Sequence, residues 1–324
     1  MRFVVPDDFP PVYRVHPEPL EPLRQRGEVD VFSTRAADVE ELVERLRGAD
    51  AVINVRAFTR FDAALLERLP TLRMISVLGT GVDNIDLEAA TARGVVVCNT
   101  PAASTVSVAE CTIGLMFDAA KHFSRMDRAM RGGEWKQIQS VELRGRTLGL
   151  LGLGAIGQEV ARLGRGLGMR VIAWSMTYDE ERARACGAEL VDFDDLLRQS
   201  DVLSLHLRAS PRTAGMLGRE QLARMKRGSV LVNTARGAIV DTDALVEALE
   251  SGQLAAAGLD VYPQEPLAMD SPLRRLDNVV LLPHTAWVTE EATERLRVLP
   301  VDNILAWLEG APRSVVNPAV LGAR

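Results

Sequence analysis

The chain has 324 residues, enough for two domains of ordinary size. A hydrophobic fraction of 47% and a charged fraction of 25% are those of a common globular protein. The net charge of −6 leaves no basic excess to neutralise phosphates, which argues against nucleic acid as a partner.

No run approaches the roughly eighteen apolar residues of a membrane span, so no membrane association is expected. The first twenty residues carry Asp7, Asp8 and several prolines without an apolar core, and no secretory signal is read there. Cys98, Cys111 and Cys186 are odd in number and set in apolar stretches, so they are expected to be buried reduced thiols, which suits the cytoplasm. No metal site is called for.

Taken in order, Arg2 to Val5, Ala51 to Val55, Met74 to Val77 and Val95 to Cys98 read as buried strands. Between them, Val39 to Leu46, Ala63 to Leu69 and Leu87 to Ala92 have helical spacing. Strands alternating with helices predict a small α/β unit with a mostly parallel sheet. Asn99-Thr100-Pro101 ends that unit, and a long apolar helix opens at Ser104 to Ser107 and runs to about His122. A further helix around Met126 stops at Gly132-Gly133.

The run Thr147 to Leu151 followed by Gly152-Leu153-Gly154-Ala155-Ile156-Gly157 reads as strand, tight turn and helix start. In that context Gly-x-Gly-x-x-Gly predicts dinucleotide binding. Gly152 would let the chain turn, Gly154 would let it approach a pyrophosphate, and Gly157 would let helix lie close on strand. The helix amino end would offer its N–H groups to the phosphates.

Further strands are expected at Arg170 to Ala173, Val202 to Leu205, Val230 to Asn233, Gly258 to Val261 and Val279 to Leu282. With the strand at Leu148 these make six strands of a doubly wound sheet. The tail from Glu290 to Glu309 reads as helix, with a kink or a fresh start expected at Pro300, because an interior proline costs about 3 kcal/mol. The tail is expected to return to the first unit.

Ligands of open α/β sheets bind beyond the carboxyl ends of the strands. Just past those ends stand Ser175, His206, Thr234-Ala235-Arg236-Gly237, Tyr262-Pro263-Gln264-Glu265-Pro266 and Pro283-His284-Thr285. An arginine, a carboxylate and a histidine on one edge suit hydride transfer between an alcohol and a ketone beside a carboxylate. His284 can exchange the hydroxyl proton. Glu265 bonded to its ring would favour the imidazolium, each pKa unit being worth about 1.4 kcal/mol. Arg236 offers a fork that matches a carboxylate and can polarise a carbonyl. No carboxylate closely follows His206, the rival base, so it is read as a cofactor-side or structural residue.

With Gly152 to Gly157, Asn233 to Gly237, Asp260 to Pro266 and Pro283 to Thr285 in place, the chain resembles the D-isomer-specific 2-hydroxyacid dehydrogenase family. Gly79-Thr80-Gly81-Val82-Asp83-Asn84-Ile85-Asp86 and Ser107-Val108-Ala109-Glu110 add to the resemblance, which covers essentially the whole chain. The resemblance implies an α/β fold with a doubly wound Rossmann nucleotide domain, residues 100–285. It implies a smaller flavodoxin-like substrate domain, split between 1–99 and 286–324, and an active cleft between the two.

It further implies Arg236, Glu265 and His284 as the catalytic set. Cofactor contacts are implied for Gly152, Gly154, Ala155, Ile156, Gly157, Ser175, His206, Thr213, Thr234, Ala235 and Asp260. Substrate contacts are implied for Arg56, Val77, Leu78 and Gly79. The reaction implied is an NAD(P)-dependent interconversion of a small D-2-hydroxy acid and its 2-keto acid, in a protein that is commonly a homodimer.

Within the resemblance, D-3-phosphoglycerate dehydrogenase and glyoxylate or hydroxypyruvate reductase are alternatives, and a dinucleotide-sensing corepressor is a rival that is not an enzyme. Val77 stands where phosphoglycerate dehydrogenases of the family carry an arginine, which weakens a phosphorylated substrate, although Arg56 matches another basic position. No C-terminal regulatory extension is read. Trp174-Ser175-Met176-Thr177 occupies the place of the acidic residue that holds the adenosine ribose. Loss of that carboxylate removes repulsion against a 2′-phosphate, so NAD or NADP is expected, with NADP weakly favoured.

Overall fold

A computed structural model describes residues 1–9, 11–55 and 59–322. Arg56 lies outside the described residues. The chain divides into two compact units, Met1–Ser104 with Thr289–Arg324, and Thr105–Val288.

The first unit carries strands β1 (Arg2–Val5), β2 (Glu28–Val31), β3 (Ala51–Val55), β4 (Met74–Leu78) and β5 (Val96–Cys98), all paired in parallel in the order β2-β1-β3-β4-β5. That is the flavodoxin-like order. Strands β3, β4 and β5 are buried along their whole length, so they read as unbroken apolar runs. The sequence reading missed β2, because Glu-Val-Asp-Val is short and charged. Such a strand suits a sheet edge, where charge blocks further pairing, and Arg2 Nε binds Asp30 Oδ2 at 2.8 Å across it.

Helix Glu290–Leu308 runs through Pro300 with no fresh start. It belongs to this unit: Ser76 Oγ donates to the Pro300 carbonyl at 2.9 Å, the Tyr13 hydroxyl to that of Arg297 at 3.0 Å, and Asn303 Nδ2 to that of Asn99 at 2.9 Å. Farther on, Asn317 accepts the Val97 N–H and donates to the Val95 carbonyl, each at 2.9 Å. Ser76, Tyr13 and Asn303 thus hold the helix, and Asn317 holds the segment after it along the edge strand β5.

The second unit carries β6 (Thr147–Leu151), β7 (Arg170–Trp174), β8 (Glu189–Leu190), β9 (Val202–Leu205), β10 (Ser229–Asn233), β11 (Leu254–Leu259) and β12 (Val279–Leu281). All pair in parallel, in the order β12-β11-β10-β9-β6-β7-β8. This is the doubly wound Rossmann order with one strand added, and its switch point lies between β6 and β9. The sheet has seven strands rather than six, because the two-residue edge strand β8 leaves no periodic trace.

Strand β11 also differs from its expected position. It begins at Leu254 and ends at Leu259, so Asp260 and Val261 lie beyond it. Its Leu-Ala-Ala-Ala start has little β propensity and is held by pairing with β10 and β12. Alternate residues serve opposite faces: Leu203, Leu205 and Leu231 join one apolar core, and Val202, Val230 and Val232 the other. Helix Thr105–Lys121 covers the second face, with Leu115 so close to Gly258 that an added Cβ would sit 3.0 Å from its Cβ. His122, at φ 60°, separates this helix from the next, Phe123–Arg131.

Cys98, Cys111 and Cys186 form no disulfide. Burial pushes the Cys98 thiol up to about 12, and burial with the nearby Asp260 charge pushes Cys111 up to about 11, so both stay protonated at neutral pH. Among the described residues, no helix is long and apolar enough to cross a membrane.

Just past β1, Asp7 is 3% exposed and accepts a 2.6 Å bond from the Thr59 hydroxyl. Burial raises its pKa from 3.8 to about 6, against the opposing pull of Thr59, Arg35 and Arg45. A carboxyl raised in this way supports the fold fully below its unfolded value, and that support fades as pH rises through about 6. Asp7→Asn, which never ionises, should therefore gain stability over the parent between pH 4 and 7, by up to about 3 kcal/mol. Denaturant melts at several pH values test this, and parallel curves for the two proteins would refute it.

Candidate active site

Beyond β6 the chain turns at Gly152, whose φ of 110° suits glycine. The turn is also crowded, since a Cβ there would lie 2.8 Å from the His206 carbonyl. Gly157, buried in the following helix Ala155–Gly166, would place a Cβ 2.3 Å from the Gly152 oxygen. Gly154 is the opposite case: nothing lies within 4 Å of its missing Cβ. It caps the helix without a side-chain hydrogen bond, so the N–H groups of the first turn are left to a ligand. Ala155 is exposed there and Ile156 half-buried. An open backbone at an uncapped helix amino end fits a pyrophosphate.

Ser175 directly follows β7 and is half-buried. His206 directly follows β9, with Nε2 2.9 Å from Ser204 Oγ. Burial pushes its pKa down to about 3, so the ring is neutral throughout the physiological range. Thr213 is buried, and its hydroxyl is engaged within its own loop, donating to the Arg208 carbonyl at 2.7 Å and accepting the Ser210 N–H at 2.8 Å.

The loop after β10 is shaped by Asn233, whose Oδ1 accepts the Ala235 N–H and whose Nδ2 donates to the Arg236 carbonyl, each at 3.0 Å. Thr234 and Ala235 are buried within it. Thr112 donates to the Val108 carbonyl at 2.7 Å, so it is the acceptor in its 2.8 Å bond with the Thr234 hydroxyl. Arg236 follows, with one guanidinium nitrogen on the Ala235 carbonyl at 2.8 Å. Gly237 then lets two loops touch: a Cβ there would fall 2.0 Å from the Tyr262 carbonyl carbon.

That contact carries the chain to Glu265. The Tyr262 N–H donates to Glu265 Oε1 at 3.0 Å, and Glu265 Oε2 lies 2.7 Å from His284 Nδ1. Burial raises the Glu265 pKa, but the His284 bond, the Tyr262 N–H and the charges of His284 and Arg236 outweigh it. The carboxyl therefore lies below its ordinary range and is ionised at neutral pH. The side chains of His284 and Glu265 are 43% and 35% exposed, so a ligand can reach them.

His284 itself adopts φ 53°. Asp260, just past β11, holds this turn: its carbonyl accepts the His284 N–H at 2.8 Å, and its carboxylate accepts the N–H groups of Thr285 at 2.7 Å and Ala286 at 3.0 Å. Burial raises the Asp260 pKa, opposed by those two N–H groups and by His284. Arg236, Glu265 and His284 thus meet on one edge of the second unit.

In the first unit, Val77 and Leu78 end the buried strand β4, and Gly79 follows at φ 139°. The Gly79 N–H donates to Thr100 Oγ1 at 2.8 Å. The supporting roles of Asn233, Thr112 and Tyr262 were not read from the sequence. An asparagine just before a loop is a signal for the first, and nothing local marks the other two.

A doubly wound sheet, a glycine turn at its switch point and a histidine–carboxylate–arginine group on the same edge define a dinucleotide-dependent dehydrogenase. Residues 113–286 match the family model described as D-isomer specific 2-hydroxyacid dehydrogenase, NAD binding domain. The chain is 42% identical over 304 residues to D-3-phosphoglycerate dehydrogenase of Archaeoglobus fulgidus, covering 93% of this chain and 57% of that one. It is 41% identical to glyoxylate reductase of Aeropyrum pernix, covering 96% of each.

Among solved structures, D-lactate dehydrogenase from Aquifex aeolicus complexed with NAD and lactic acid has a TM-score of 0.87 at 29% identity, covering 98% of this chain and 99% of that one. An acyclic imino acid reductase in complex with NADPH and D-Arg has a TM-score of 0.88 at 29% identity, covering 98% of this chain and all of that one. The chain belongs to the D-isomer specific 2-hydroxyacid dehydrogenase family. It is an NAD(P)-dependent oxidoreductase that interconverts 2-hydroxy acids and 2-keto acids.

Crowding at two of the site's glycines separates shape from access. Gly157→Ala and Gly237→Ala should each lower stability by about 1–3 kcal/mol, because the obstructing atoms are backbone. Gly154→Ala should cost no more than about 1 kcal/mol, the loss of a favourable cap residue. Thermal melts of the three variants test this; a Gly237→Ala variant as stable as the parent would contradict the close packing of the two loops.

Proposed function

We propose that Arg236, Glu265 and His284 carry the reaction, with residues 105–288 as the dinucleotide-binding domain and the first unit as the substrate domain. The observation that supports this most is the 2.7 Å bond between His284 and an ionised Glu265 that also feels the Arg236 charge. Gly152, Gly154, Ala155, Ile156 and Gly157 would hold a nicotinamide dinucleotide, which would supply or accept the hydride. Ser175, His206, Thr213, Thr234, Ala235 and Asp260 line its path.

His284 gives a proton to the keto oxygen during reduction and takes it from the hydroxyl during oxidation. Glu265 engages Nδ1, which leaves Nε2 as the nitrogen that meets the substrate. Arg236 binds the substrate carboxylate as a fork and polarises the neighbouring carbonyl. Val77, Leu78 and Gly79 are the substrate-domain donors of this reading, and a bond from Gly79 N–H to a substrate competes with Thr100.

The substrate we infer is a small unphosphorylated D-2-hydroxy acid or its keto acid, of the glyoxylate or hydroxypyruvate size. Val77 supports this, since it brings no positive charge to the end of β4. Phosphoglycerate is the second reading, favoured by the relative at 42% identity. Ser175 in place of an acidic residue supports a weak preference for NADP. Exposed Val106, Phe123, Met130, Val141 and the 83% exposed Trp135 support a homodimer through the segment 105–141.

Reduction of a panel of 2-keto acids, phosphorylated and not, with NADH and with NADPH tests substrate and cofactor together. A higher kcat/KM with NADPH is expected, and a strong NADH preference overturns that part. His284→Ala should lose about 10²–10⁴ in kcat, and Arg236→Ala should mainly raise the keto-acid KM. Normal turnover by His284→Ala would remove it from the mechanism.

A further inference from the structure

We infer that Asn233 is a positioning residue for Arg236, so that the keto-acid site depends on an amide that touches no substrate. The inference rests on the assignment of Arg236 to the substrate carboxylate made above. Asn233 is the last residue of β10 and is 1% exposed. An amide buried this deeply is held wherever its bonds take it, and both of its polar atoms bond within the loop that presents Arg236. Oδ1 takes the Ala235 N–H and Nδ2 gives to the Arg236 carbonyl, each at 3.0 Å.

One side chain therefore pins the peptides on both sides of the Ala235–Arg236 pair, an acceptor for one and a donor for the other. Aspartate has the acceptor without the donor, and serine is too short to span both. The loop is also anchored at both ends. The Asn233 carbonyl accepts the Asp260 N–H at 3.0 Å, which fixes the root of the loop to the next strand end. Gly237 lies against the Tyr262–Pro263 backbone, which fixes its far end. Between these two anchors Asn233, together with the Thr234–Thr112 bond, sets the path of the backbone from which the Arg236 side chain departs. The guanidinium bond to the Ala235 carbonyl reinforces this, since that carbonyl belongs to a residue whose N–H is in turn held by Asn233.

A double-mutant cycle separates positioning from plain stability. In the parent background, Asn233→Ala should raise the keto-acid KM about tenfold, the worth of one or two lost hydrogen bonds, with the KM for the reduced cofactor within twofold. In the Arg236→Ala background, the same change should move the keto-acid KM by less than twofold, because the group being aimed is gone. Asn233→Asp, which keeps volume and acceptor, should fall between parent and Asn233→Ala, and serves alone if Asn233→Ala does not fold. An equal loss in both backgrounds, or an unchanged keto-acid KM in a folded variant, overturns the positioning role. If Arg236→Ala by itself leaves the keto-acid KM unchanged, the fault lies in the assignment of Arg236 instead.

Discussion

One line of backbone hydrogen bonds continues the second sheet past its last paired residues and decides where the chemistry stands. The Asp260 N–H donates to the Asn233 carbonyl and the His284 N–H to the Asp260 carbonyl, at 3.0 and 2.8 Å. Three loops that are far apart in sequence therefore begin level with one another. Parallel strands make this possible, because their carboxyl ends all face the same way. Side chains then finish what the rung begins: Asn233 shapes the first loop and the Asp260 carboxylate shapes the third. The second loop folds back on itself through the Tyr262 N–H and Glu265, so each loop carries its own tie.

Strands buried on both faces were legible in the sequence because burial leaves an unbroken apolar run, as in Val202 to Leu205. The edge strands β2 and β8 were not: β2 is half charged, and β8 is two residues long. The start of β11 was hidden by alanines, which reveal nothing of the neighbours that hold them in the sheet. That error mattered at Asp260, which reads as a strand residue but stands at the strand's end with its carboxylate on the next loop.

Polar residues beyond strand ends were legible because few side chains can do acid–base or carboxylate chemistry and the topology says where to look. The bonds that support them were not, because Asn233, Tyr262 and Thr112 act on backbone atoms or across 122 residues of sequence, as in Thr112 to Thr234. Pro300 taught a related lesson: a helix packed on its sheet through residues such as Ser76 can tolerate a proline that a free helix would not.

Two carboxyl groups on this edge are pushed in opposite directions by the same kinds of force. Asp260 is buried deeply enough that its two N–H partners and the nearby His284 do not offset the cost of charge. Glu265 is less buried and has a histidine, an N–H and an arginine to favour its anion. The difference suits their tasks, one holding backbone and the other holding an imidazole.

The two histidines divide in the same manner. His206 has a serine hydroxyl beside Nε2, and burial pushes its pKa down to about 3, which keeps its ring neutral near pH 7. His284 stands half in solvent with a carboxylate on Nδ1, which gives a positive ring a partner and leaves its other nitrogen open. A base for a hydroxyl must be able to carry charge after the proton arrives. By that requirement the two imidazoles on the sheet edge differ in favour of His284 as the proposed base, and the Glu265 carboxylate is what distinguishes them.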